Sequence, residues 1–392
     1  MFTFVIQLYL MNKEYIKSLF SKHKENSLYH RYITNKNIEP LLNKFDGFFD
    51  IQTIGSSVLS QPIYSIKVGK GPKKILMWSQ MHGNESTTTK AIFDLLNTFS
   101  DSESGLNHIL EACTLYIIPI LNPDGANAYT RLNANQIDLN RDAQALSQPE
   151  SKILRQIFNE FKPNFCFNLH GQRTIFSVGN TNNSATVSFL APAQDENCTI
   201  TKNRKKAMEV IVAMNKALQD VIPNQIGIYD DAFNINCVGD TFQSQNTPTI
   251  LFEAGHYSND YAREVTRGFI YMSLITSLDY ISNNDVKGEK DEFYIAIPEN
   301  GKCFYDIIIR NVEIGENRVE DIGIMYQEKL IYGEVKFIPK IEKVEILKGF
   351  YGHKELNANS EKVFDENGKS LKVDSEINLV MMNNEKISLL FD

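Results

Sequence analysis

Lys74-Ile75-Leu76-Met77-Trp78-Ser79-Gln80-Met81-His82-Gly83-Asn84-Glu85 is an apolar strand that runs straight into a His-x-x-Glu. The next segment, Ser86 through Phe99, reads as a helix, so both polar side chains fall at the C-terminal edge of a sheet. Open α/β folds place their ligand sites at that edge. His82 and Glu85 suit one zinc ion, because two His and one Glu form a catalytic zinc set whose fourth position is left to water. Alone the motif is weak: a glutamate at a helix entrance also serves the helix dipole. The remaining histidine has to come from elsewhere in the chain.

Of the seven histidines, only His170 closes another apolar strand, Asn164-Phe165-Cys166-Phe167-Asn168-Leu169, and it too is followed by a glycine. Taken singly, it reads as a hydrogen-bonded core residue. Between the two histidines lie Asn122-Pro123-Asp124-Gly125, then Arg131, then Asp138-Leu139-Asn140-Arg141-Asp142. Further on, Pro248-Thr249-Ile250-Leu251-Phe252 is a strand ending in Glu253-Ala254-Gly255.

In this order the motifs resemble the zinc carboxypeptidase family, in which His-x-x-Glu, Asn-Pro-Asp-Gly, Arg, Asn-Arg, His and a late catalytic Glu follow one another. The resemblance covers roughly residues 28 to 280, including the approach Ile54-Gly55-Ser56-Ser57 and Pro62 to Gly69. It implies an α/β/α layered domain with a mixed, mostly parallel central sheet. It also implies one zinc per chain, held by His82, Glu85 and His170.

The same resemblance assigns the other roles. Glu253 has the chemistry to accept a proton from the zinc-activated water and pass it to the leaving nitrogen; without the other motifs it would read as a strand-end salt-bridge partner. Arg131 matches the arginine that polarises the scissile carbonyl, a duty suited to a permanently charged fork of donors. Asn140 and Arg141 match the pair that docks the substrate's free carboxylate; for Arg141 the bland reading is a surface ion pair with Asp138 or Asp142. Asp138 resembles the aspartate that fixes the ring of the first zinc histidine. Tyr229 is the candidate for a covering tyrosine. Asp240 resembles a pocket aspartate, favouring basic or amine-bearing groups, or equally caps a helix.

The function implied is a metallocarboxypeptidase acting on a peptide or murein-peptide-like substrate with a free carboxylate. Two other readings stand beside it. The short span between His82 and His170 is also similar to the aspartoacylase and succinylglutamate desuccinylase branch, which removes N-acyl groups from amino acids. An inactive zinc- or peptide-binding module is the third, although such proteins typically forfeit a ligand or the base.

Composition excludes little else. A net charge of −8 argues against nucleic-acid binding through a basic surface. No apolar run is long enough for a membrane span. The apolar opening Met1 to Leu10 lacks a basic stretch and a small-residue cleavage site, so it reads as an irregular first turn, or as lying ahead of a true start at Met11, in preference to a secretion signal. Five scattered cysteines favour reduced thiols over disulfides. The cytoplasm is the expected location.

Helices are expected at about 12–21, 88–99, 149–161, 204–220 and 260–282, alternating with strands. The expected organisation is an N-terminal extension and first helix (1–27), a catalytic domain (28–283), a charged linker (284–292) and a small C-terminal all-β domain (293–392). Within the last, strands are expected at 293–297, 303–310, 329–338, 343–347 and 376–382. This β module reads either as a substrate-orienting wall or as a stabilising appendage.

Overall fold

The computed structural model describes residues 12–315 and 318–391; the apolar opening lies outside them. The first strands are β1 (Asp50–Ser56), β2 (Pro62–Val68), β3 (Lys73–Ser79), β4 (Cys113–Ile118) and β5 (Phe165–Gly171). The short β6 (Ser177–Val178), β7 (Val187–Leu190), β8 (Ile226–Ile228) and β9 (Thr249–Ala254) follow. All but β6 join one eight-stranded sheet in the order β1-β2-β4-β3-β5-β9-β7-β8. The core strands β4, β3, β5 and β9 run parallel, as do β7 and β8. The β1/β2, β2/β4 and β7/β9 pairs are antiparallel. The sheet is therefore mixed, with a parallel centre.

Strand β3 shows why its sequence is apolar without alternation. Ile75 and Met77 enter one hydrophobic cluster while Leu76 and Trp78 enter another on the opposite face. Helices cover both faces, the arrangement that buries a parallel strand on two sides. The chain's helices are α1 (Lys13–His23), α2 (Asn35–Phe45), α3 (Thr87–Ser100), α4 (Asn107–Ala112), α5 (Pro123–Ala128), α6 (Pro149–Phe161), α7 (Lys202–Gln219), α8 (Val238–Ser244), α9 (Glu264–Asn283) and α10 (Asp291–Ile295). Residues of α3, α7 and α9 share the first cluster, and Leu154, Phe158 and Phe242 of α6 and α8 share the second. Phe242 stacks on Phe158 at 3.8 Å and meets Trp78 edge-on at 5.5 Å. Helix α6 begins at Pro149, whose fixed φ suits a first helical position.

Beyond β10 (Asn300–Gly301), which pairs with β6, only strands follow: β11 (Phe304–Glu313), β12 (Val319–Ile331), β13 (Glu334–Glu345), β14 (Tyr351–Asn357), β15 (Phe364–Asp365), β16 (Leu379–Met382) and β17 (Glu385–Ser388). They form a four-stranded sheet, β13-β12-β11-β14, and a three-stranded sheet, β15-β16-β17. Ile307, Ile322, Ile341 and Val380 give them their own core.

Two expected strands differ. Residues 293–297 fall on helix α10 and its end, because Tyr294 packs inward and its hydroxyl accepts from the Ala191 N–H at 3.1 Å, while Phe293 and Ile295 face solvent. The run 329–338 is a hairpin, turning where Tyr332 and Gly333 both take positive φ, 51° and 81°. A tyrosine is an unusual first residue for such a turn, so the usual Asn-Gly or Asp-Gly signal is missing. Within the segment 284–292, the N–H groups of Gly288 and Glu289 donate to the Glu209 carboxylate of α7 at 2.7 and 2.8 Å. No helix among the described residues is long and apolar enough to cross a membrane. All five cysteines are unpaired; Cys113, Cys166 and Cys303 are buried.

Candidate metal centre and substrate cavity

The loop that carries His82 and Glu85 departs from β3 through Gln80, a buried residue forced to a φ of 43°. Its side-chain amide donates to the carbonyls of Ile33 (3.0 Å) and Gly83 (2.9 Å), which holds the strained turn in place. Gly83 passes so close to the backbone of Gly125 that a Cβ would lie 1.9 Å from its carbonyl carbon. Asn122 clamps the same crossing: its oxygen accepts from Gly125 N–H (2.8 Å) and its amide donates to Met81 O (3.2 Å). Asp124 accepts from the Ser57 hydroxyl and the Leu59 N–H. The Asn-Pro-Asp-Gly motif therefore supports the loop from behind and does not line the cavity.

The loop brings His82 and Glu85 against His170, at the end of β5. His82 Nδ1 lies 2.9 Å from Glu85 Oε1, and His170 Nδ1 lies 2.9 Å from Glu85 Oε2 and 3.1 Å from His82 Nδ1. Nε2 of His82 meets Asp138 Oδ1 at 3.0 Å. With that Nε2 as the proton donor, the Nδ1 lone pair of His82 faces His170 and Glu85. Three acceptor groups thus converge with their donor atoms within 4.8 Å of one another. Such a set is electrostatically incomplete without a cation, and its two imidazoles and carboxylate fit zinc. Asp138 is itself fixed by its own turn, accepting from Asn140 N–H at 2.9 Å.

Parallel register sets Glu253 of β9 directly beside His170 of β5. Glu253 is 8% exposed, and its Oε2 has no hydrogen-bond partner among the described residues. Burial, reinforced by the charge of Glu85, pushes its carboxyl well above the usual carboxylate range. Arg131 reaches both Asp138 (3.1 Å) and Glu85 (3.4 Å).

Asn140 spends its oxygen on the Val238 N–H at 3.0 Å, which leaves its amide group free. Arg141 is steered by the Asn140 carbonyl (2.7 Å) and Cys237 Sγ (3.1 Å). It has no carboxylate partner among the described residues: Asp138 is taken by His82 and Arg131, and Asp142 accepts from the amides of Ser147 and Gln148. The sequence alternative of a surface ion pair is therefore not the arrangement found.

His82, Glu85, His170, Glu253, Arg131, Asn140 and Arg141 open into one cavity of about 990 Å³, which Asp138 does not line. Tyr229 lines it, packed against Phe176 at 5.4 Å, and burial together with nearby Glu253 pushes its hydroxyl up to about 12. Asn168, Leu190, Leu251 and Asp240 line it as well. Asp240 sits in the first turn of α8, and burial raises its carboxyl to about 7.

Residues 34–144 match the profile of the family described as zinc carboxypeptidase. Carboxypeptidase SOL1 of Arabidopsis thaliana is 28% identical over 163 residues, 36% of this chain and 33% of that protein. A gamma-D-glutamyl-L-diamino acid endopeptidase 1 of Lysinibacillus sphaericus is 38% identical over 82 residues, 19% of this chain and 21% of that protein. The chain thus matches a third or less of the length of these curated relatives. The fold is also that of a putative carboxypeptidase A from Shewanella denitrificans, with a TM-score of 0.53 at 19% identity, covering 62% of this chain and 69% of that one.

Two features of this zinc carboxypeptidase-like site had no sequence signal. The C-terminal sheet supplies part of the wall through Gln327 and Glu328 of β12. Glu328 pairs with buried Arg31 at 3.0 Å and accepts from the Tyr129 hydroxyl, joining the N-terminal approach, α5 and the sheet. The second is Arg263, buried at a φ of 58°, whose guanidinium binds the carbonyls of Ala254 (2.7 Å) and Gln172 (3.0 Å) and ties the ends of β9 and β5 together. Glu328 lies 297 and 199 positions from Arg31 and Tyr129, and Arg263 stands in a loop whose residues no periodicity orders.

Proposed function

We propose that this protein is a zinc metallocarboxypeptidase that hydrolyses the last peptide bond, or a peptide-like amide, of a substrate with a free carboxylate. The observation that carries the reading is the unpartnered carboxylate of Glu253 placed in register with His170, beside the three convergent donors. His82, Glu85 and His170 would hold one zinc ion, which supplies Lewis-acid polarisation of the scissile carbonyl. Asp138 keeps the His82 ring in the tautomer that presents Nδ1. Glu253 takes a proton from the attacking water and returns it to the leaving nitrogen; its buried carboxyl is poised for both. Arg131 offers its guanidinium to the developing oxyanion. Arg141 and the free amide of Asn140 receive the terminal carboxylate, and Tyr229 covers the bound residue.

The likeness to the Lysinibacillus endopeptidase supports including murein-type peptides among the substrates tested. Zinc-loaded protein, with about one zinc per chain by elemental analysis, is expected to cleave peptides ending in a free acid. Amidating that terminus should cost about 30-fold or more in kcat/KM, the loss of one charge-assisted contact of ~2 kcal/mol. Glu253→Gln should retain zinc and fold while losing at least about 100-fold in turnover. Equal rates on free and amidated substrates overturn the carboxypeptidase reading. Release of acid only from N-acetyl- or N-succinyl-amino acids would establish the deacylase in its place.

A further inference from the structure

The catalytic cavity does not end at the metal centre. A groove of about 210 Å³ continues from it across the C-terminal sheet, and the two share Arg173, Ile175, Lys302, Met325 and Glu342. None of Asn140, Arg141, Tyr229 or Asp240 lines this extension. A carboxypeptidase holds a single residue on the leaving side of the scissile bond, and the rest of the peptide lies on the acyl side. On that reading the groove, which none of the carboxylate-docking residues lines, is open to the acyl side.

Resting on the carboxypeptidase reading, we propose that this groove is a subsite for one acidic side chain on the amino side of the scissile bond, taken between Arg173 and Lys302. Both cations are exposed, and neither has an ion-pair or hydrogen-bond partner among the described residues. Their backbones are fixed while their side chains stay free. On either side of Arg173, Gln172 O accepts from Arg263 at 3.0 Å and Thr174 O lies 2.8 Å from His353 Nε2. Lys302 lies between Gly301, which pairs with Ser177, and Cys303, whose carbonyl accepts from Tyr351 N–H at 2.8 Å.

Of the groove's other charges, Lys343 is paired with Glu345 at 3.0 Å. Glu342 is the exception, an exposed acid on the same groove. Two free cations against one free carboxylate leave room for one ligand carboxylate, not an acidic run. Phe304, Tyr305 and Phe350 supply the apolar floor beneath it.

The test is a series of peptides of one length and one C-terminal residue, carrying Glu, Gln or Lys at each of the three positions before the scissile bond, with kcat/KM measured at low and high salt. A single Glu at one of these positions should be preferred over Gln by about 5- to 10-fold at low ionic strength, as expected of two exposed charge contacts, and less so in salt. A second Glu should add little. Arg173→Gln/Lys302→Gln should bring the Glu-to-Gln ratio near one, and Glu342→Gln should raise it. Because each ratio is internal to one enzyme form, a general loss of activity does not mimic the result. A ratio of one in the wild type, or an unchanged ratio in the double variant, overturns the subsite. Should no peptide be hydrolysed, the carboxypeptidase reading fails by itself; fluorescence anisotropy of the labelled Glu and Gln peptides still decides the groove, and equal Kd values overturn it.

Discussion

Asp240 shows how much one side chain depends on its surroundings. Its carboxyl is buried on the first turn of α8, beside the substrate cavity, and burial lifts it from the ordinary 3.8 to about 7. Between those values the folded protein holds a proton that the unfolded chain has released. Stability must therefore fall as pH rises through that window. Asp240→Asn cannot ionise, so it should stabilise the protein by about 2 kcal/mol more at pH 8 than at pH 5. Urea unfolding of both forms at the two pH values checks this, and an equal difference at both would mean that Asp240 ionises normally. Glu253 is shifted in the same direction by the same burial, with the charge of Glu85 adding to it.

At the scale of elements, the loop from β3 to α3 is built to a tolerance of less than one methyl group. Gly83 and Gly125 cross backbone to backbone, under the clamp of Asn122 and behind the strained Gln80. Gly83→Ala places a Cβ 1.9 Å from a carbonyl carbon that belongs to rigid backbone, so the loop carrying His82 and Glu85 has to move. Overpacking of this kind costs about 1–3 kcal/mol and displaces the ligands it carries. The variant should fold with that loss and release zinc on dialysis, followed by elemental analysis and chemical unfolding. Full zinc retention at wild-type stability would show that the crossing has slack.

Across the whole molecule, the C-terminal sheet is joined to the α/β part by buried polar contacts. Arg31 is 8% exposed and pairs with Glu328, while Tyr261 donates to buried Asp306 at 2.8 Å. Removing one partner of a buried pair leaves an uncompensated charge, so Glu328→Ala should cost about 3 kcal/mol. Glu376→Ala, which breaks the exposed pair with Lys329, should cost less than about 1 kcal/mol. Comparable losses in the two variants, measured by denaturant unfolding, would mean that the sheet is not held through Arg31.

The alternation of strands and helices was enough to read the α/β layers, and His82, His170 and Glu253 were nominated where apolar strands end, with Glu85 in the turn that follows; Arg131, Asn140 and Arg141 were nominated only through the resemblance of the ordered motifs to zinc carboxypeptidases. Strand β3 is legible because a run buried on both faces has to be continuously apolar. Tertiary structure alone decided what those residues face. It placed the unpartnered Glu253 beside His170 by strand register, gave Arg141 a thiol and a carbonyl in place of a carboxylate, and brought β12 into the cavity wall. It also turned the runs at 293–297 and 329–338 into a helix and a hairpin, through Tyr294 packing inward and a Tyr-Gly turn. Periodicity records which face of an element is buried; which partner meets that face depends on chain crossings between residues hundreds of positions apart.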